Sequence, residues 1–107
     1  MTVEELVERG GEADDVLRAV VEAVHAEGIA WAGIAFVEEG RLELGPSAGG
    51  GGSPSEPLRQ PVEWRGDLVA ELQASPDADP ARLARVAELI AEYCLVGWDT
   101  HGERWEP

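Results

Sequence analysis

Few residues in this chain of 107 could carry chemistry, which offers a single cysteine and two histidines. Asp99, His101 and Glu103 alternate as D-x-H-x-E near the C-terminus. On a strand they would present two carboxylates and an imidazole to one side, a weak candidate set for a divalent ion. No second histidine or cysteine completes it, so no metal and no cofactor is expected. Cys94 falls within an apolar helical stripe, where a thiol packs as a small hydrophobe rather than serving as a nucleophile. His25 stands near the end of another helical run, where a cation complements the dipole, so a surface or capping role is expected. Glu38 and Glu39 share a turn in which both stay solvated, and Gly49–Gly52 lacks the Gly-Lys-Ser/Thr ending of a phosphate loop. No catalytic residue is assigned. The aromatic residues Trp31, Phe36, Trp64, Trp98 and Trp105 have two readings: they line a small ligand pocket, or they fill space as core.

Charge narrows the partners. The chain carries 22 acidic against 8 basic residues, a formal net charge of −14. Such a surface repels phosphate backbones and anionic headgroups, so neither nucleic acid nor a membrane surface is expected as partner. All the basic residues are Arg, with Lys and Asn both absent. One unpaired cysteine points to a reducing compartment. The N-terminal MTVEELVERGG has no basic-then-apolar leader pattern, and no apolar run reaches the ~20 residues that span a bilayer. A cytoplasmic protein of one domain over residues 1–107 is expected.

The elements that must position these residues centre on Ile29–Gly45. Ile29–Val37 is apolar on both faces and predicts a central strand, while Arg41–Leu44 alternates as an edge strand should. Glu39-Gly40 between them suits a tight hairpin. A Thr2-x-x-Glu5 capping box opens a short helix that Gly10-Gly11 stops. Val16, Leu17, Val20, Val21 and Val24 predict a second helix from about Asp14 to Glu27. Residues 46–56 read as a flexible Gly-rich loop, able to reach about 35 Å when extended and so to cross the end of a sheet. Leu58–Trp64 and Leu68–Ala74 alternate about Arg65-Gly66 as a second hairpin, its first strand kept to an edge by Pro57 and Pro61. Asp79-Pro80 opens a last helix bearing Leu83, Val86, Ala87, Ile90 and Cys94, ending near Gly97. The tail, 98–107, is expected to pack back on the body through its tryptophans. Joining the hairpins through their most apolar strands gives an α+β fold. It has a four-stranded antiparallel sheet of order 2-1-4-3, with the N- and C-terminal helices on one face.

Three segments resemble a GAF domain, a small-molecule sensing module. They are Trp31-Ala32-Gly33-Ile34-Ala35-Phe36 with Leu42-Glu43-Leu44-Gly45-Pro46, then Pro61-Val62 with Gly66-Asp67-Leu68, and the helix from Asp77 to Ala91. The first is similar to the free methionine-(R)-sulfoxide reductase branch. That branch places its catalytic cysteines in an insert between the hairpins, where this chain has only Ser47–Glu56 and no cysteine, so its redox activity does not carry over. The resemblance implies a small stand-alone GAF-like binding or interaction module, non-catalytic and homodimeric, with dimer contacts through terminal helices as in the family. An alternative is a small-molecule sensor whose reduced pocket is framed by Trp31 and Trp64 under the Gly-rich loop. A further alternative is a redox enzyme related to methionine sulfoxide reductase, acting through Cys94 or His101.

Overall fold

The computed structural model describes residues 2–50, 52 and 54–95. Its elements run α1 (Val3–Arg9), α2 (Ala13–Ala26), β1 (Ala32–Glu38), β2 (Arg41–Ala48), β3 (Leu58–Trp64), β4 (Asp67–Ala74) and α3 (Pro80–Leu95). The four strands form one sheet in the order β2-β1-β4-β3, antiparallel throughout. α2 lies against β1 and β2, α3 against β3 and β4, and α1 touches both of those helices. The predicted α+β architecture and strand order are the observed ones. The tail expected to pack back on the body, 98–107, lies outside the described residues.

Local chemistry explains the element boundaries. Thr2 accepts from the Glu5 N–H at 3.1 Å while Glu5 accepts from the Thr2 N–H at 2.9 Å, so the capping box starts α1 as expected. Asp79 accepts from the Ala81 N–H at 3.0 Å, with Pro80 opening α3. Both hairpins turn on two residues with positive φ, Glu39-Gly40 at 52° and 78° and Arg65-Gly66 at 54° and 90°. That is the geometry whose twist matches the flanking strands.

Two strand boundaries differ from expectation. β1 begins at Ala32 rather than Ile29. Ile29 is buried in the core instead, and the Ser75 N–H donates to the Trp31 carbonyl at 2.9 Å, bending the chain into the sheet there. β2 continues to Ala48, taking in the first three residues of the predicted loop. The pairing shifts from Ala35↔Leu44 to Gly33↔Ser47, which leaves one extra residue on β2 around Gly45-Pro46. A bulge of this kind lets a proline sit in an edge strand.

The core lies between sheet and helices. Ile34, Phe36, Val62, Ala70 and Leu72 pack on one side against Leu17, Val20, Val21 and Val24 of α2 and Leu83, Val86 and Ile90 of α3. Fully burying a side chain of this kind stabilises by about 1.5–3 kcal/mol. β-Branched residues fill much of α2 against their propensity, so tertiary packing holds that helix.

A polar clasp joins the three helices at one end. Arg82 on α3 reaches Glu4 of α1 at 2.7 Å and Glu27, just past α2, at 2.8 Å. The Tyr93 hydroxyl donates to the Val7 carbonyl at 3.2 Å, fixing α1 at its other end. Glu27 and Glu4 hold the Arg82 guanidinium above its ordinary range. The Arg82 hydrogen bonds in turn pull the Glu4 carboxyl from 4.5 down to about 2. A carboxylate lowered on folding contributes stability above its unfolded value and loses it as pH falls through the folded one. Arg82→Gln is therefore expected to lower the melting temperature at pH 7 and to converge on the parent toward pH 2. Thermal melts across that window, run on both chains, check this.

Candidate functional site

The sheet face opposite the helices is the candidate surface, and among the described residues no helix covers it. Alternation along the strands, with the observed register, assigns its members. Gly33, Ala35 and Val37 come from β1, Leu42 and Leu44 from β2, Glu71 and Gln73 from β4, and Arg59 and Pro61 from β3. Its two halves differ in chemistry.

The β1–β2 half is apolar. Val37 pairs with Leu42 and Ala35 with Leu44, and Val37, Leu42 and Leu44 remain 37%, 41% and 52% exposed. Adjacent apolar side chains left in water mark a contact surface more often than scattered single ones do. The β3–β4 half is polar apart from Leu68, which stands opposite Glu63 and is 50% exposed. Arg59 donates to the Glu71 Oε1 at 2.8 Å, and Gln73 donates to the same oxygen at 2.7 Å. Gln73 and Arg59 face each other across the pair, both beside a largely buried carboxylate. Between the halves Gly33, Ala35 and Gln73 are buried, so the accessible apolar part of this face is the margin formed by Val37, Leu42 and Leu44.

Trp31 closes one end of this face. Its backbone N–H donates to the Ser75 hydroxyl at 3.3 Å, and the six-membered ring of its indole lies against Gly33. A Cβ on Gly33 would come within 2.7 Å of the ring and 3.3 Å of Leu44. Gly49, at φ 115°, presses so closely on Ala30 and Trp31 that a side chain there would meet backbone atoms. Glycine at 33 and 49 is thus what allows the indole and the following loop to lie against the sheet.

The other sequence-derived candidates fall elsewhere. Phe36 belongs to the helix-side core, and Trp64 packs on that core's rim with the Arg65 guanidinium 5.4 Å above its ring. Trp31 and Trp64 therefore occupy opposite faces, and they do not frame a common pocket. Two cavities, of 360 and 340 Å³, lie on the helix side. One is lined by β3 and α3, the other by the end of α2 and the start of α3 around Arg82. Neither is lined by Trp31, Phe36 or Trp64. Trp98, Trp105, Asp99, His101 and Glu103 lie outside the described residues, among which no group of His, Cys, Asp and Glu is placed to hold a metal. His25 brings its Nδ1 within 2.6 Å of the Ile29 carbonyl, closing the turn after α2. Cys94 is buried, and burial pushes its thiol up to about 12.

Sequence reasoning missed the Arg59–Glu71–Gln73 cluster. Alternation phases β3 as observed and β4 from Ala70 to Ala74, but an extra residue at Val69 turns Leu68 outward and Val69 toward the core, contrary to the even alternation expected from Leu68. Strand phase alone does not say which residues meet.

No protein-family model matches the chain, and no curated protein does. A solved structure, the GAF domain from Acinetobacter phosphoenolpyruvate-protein phosphotransferase, superposes with a TM-score of 0.67 at 14% identity. The superposition spans 88% of this chain and 90% of that one. The fold is GAF-like.

Two outcomes follow from this geometry. Gly33→Ala is expected to destabilise by about 1–3 kcal/mol through overpacking, and by much less when Trp31 is also reduced to Val. Urea unfolding of the single and double variants measures that coupling. The buried Cys94 thiol is expected to react with Ellman's reagent only as fast as the chain opens, and a burst in the folded protein would contradict this.

Proposed function

We propose that the chain is a non-catalytic GAF-like interaction module that works as a homodimer, with the exposed β1–β2 margin of the sheet as the working surface. The observation that carries this reading is the adjacent exposed trio of Val37, Leu42 and Leu44 on a face that no helix covers among the described residues. Water-exposed apolar side chains in register across two strands are costly to a solitary domain and useful to an associating one. Support for a non-catalytic role comes from Cys94, whose thiol is buried and held protonated, which is the opposite of what a nucleophile needs. The similarity to a GAF domain supports a binding or interaction role at the level of fold analogy.

Light scattering over a concentration series tests the reading. A dimer that Leu44→Arg converts to monomer without loss of helical or sheet signal is the expected result. A parent chain that stays monomeric at every concentration would overturn it.

A further inference from the structure

We infer that two copies associate edge to edge through β2, in one antiparallel register centred on Leu42, making one continuous eight-stranded sheet. The inference rests on the homodimer reading above and specifies its geometry. It begins from the edge: among the described residues β2 is outermost in the sheet and paired on one side only. The two-residue turn makes Glu38 and Arg41 a hydrogen-bonded pair, so alternation makes Val37–Leu42 and Ala35–Leu44 the non-bonded pairs. The N–H and C=O groups of Leu42 and Leu44 therefore point away from β1 and stand available to another strand.

Charge then selects the register. Arg41 and Glu43 lie on the opposite side of β2 from Leu42, both exposed, at 77% and 50%, and paired to each other at 2.9 Å. Set Leu42 against Leu42 of a second copy, and Arg41 falls opposite Glu43 twice, once on each side of the two-fold axis. These are non-hydrogen-bonded positions, where facing side chains come closest. Centring the pair on Glu43 would put like carboxylates face to face, and centring it on Arg41 would do the same with guanidinium groups. Centring it on Leu44 brings Pro46, which has no N–H, opposite Leu42. One register survives.

That register also completes the apolar face. Val37 and Leu42 of one copy continue into Leu42 and Val37 of the other, an unbroken row of four across the joint. The opposite margin of the sheet cannot do the same, because Pro61 sits in the middle of β3 and supplies no donor. An acidic protein gains from a contact whose charges are balanced within itself, since its net charge otherwise opposes association.

Backbone amide exchange, combined with sedimentation, provides the test. In the parent chain the Leu42 amide is expected to exchange more slowly as concentration rises through the dimerisation range, while Glu43 is bonded to β1 and protected throughout and Leu44, opposite the partner's Gly40 turn, changes little. Arg41→Glu should weaken the dimer about tenfold by turning two cross-strand attractions into repulsions. The swap Arg41→Glu with Glu43→Arg should restore it, whereas a pair acting only within one chain would leave the dimerisation constant unmoved in all three. A dimer in which exchange at Leu42 ignores concentration would overturn edge pairing and leave self-association standing. A parent chain that never dimerises would overturn both.

Discussion

The antiparallel contact of β1 with β4 is the constraint on which the rest of the molecule depends. Each hairpin can close locally, but Ala32–Phe36 must find Ala70–Ala74 across about 40 residues. Closing a loop of that length costs about 3 kcal/mol of chain entropy. Two things offset the cost. Ile34, Phe36, Ala70 and Leu72 are buried together beneath α2 and α3, and the Ser75 hydroxyl and N–H engage the Trp31 backbone where the two strands begin to run side by side. Once this seam forms, both hairpins have one committed face, and the helices have a floor to cover.

Committing one face leaves the other to take its character from what alternates with the core. On β1 that means Gly33, Ala35 and Val37, small or apolar, and on β4 Glu71 and Gln73. The division of the open face into an apolar half and a polar corner is thus a by-product of strands chosen for their other side. Trp31 is the exception. It lies just before β1, so no strand phase governs it, and the absence of a side chain on Gly33 decides where its ring settles. The same glycine that would weaken a strand elsewhere makes room here for a large buried aromatic.

Most of the frame was legible in the sequence because its signals are local. Glu39-Gly40 and Arg65-Gly66 marked the hairpins, Thr2 with Glu5 and Asp79-Pro80 marked helix starts, and the most apolar strands paired centrally. What escaped depends on relations between distant residues. The bulge at Gly45-Pro46 carried β2 on to Ala48. Arg82 lies 78 residues from Glu4 and 55 from Glu27, so nothing near it announces the clasp that joins three helices. The candidate surface was the least legible part. Trp31 and Trp64 read as partners by type, but they sit on opposite faces, and the side that β2 turns to the solvent follows only from its register with β1.

The proline in β3 has a consequence that reaches past the single chain. A sheet with two open margins can recruit copies at both and grow without limit into a fibre, whereas a sheet with one receptive margin uses it up at the first encounter. In the proposed edge pairing, Pro61 on the far border leaves no second margin of the same kind, so growth along the sheet stops at a pair. The proposed contact thus uses an exposed strand without leading to polymerisation.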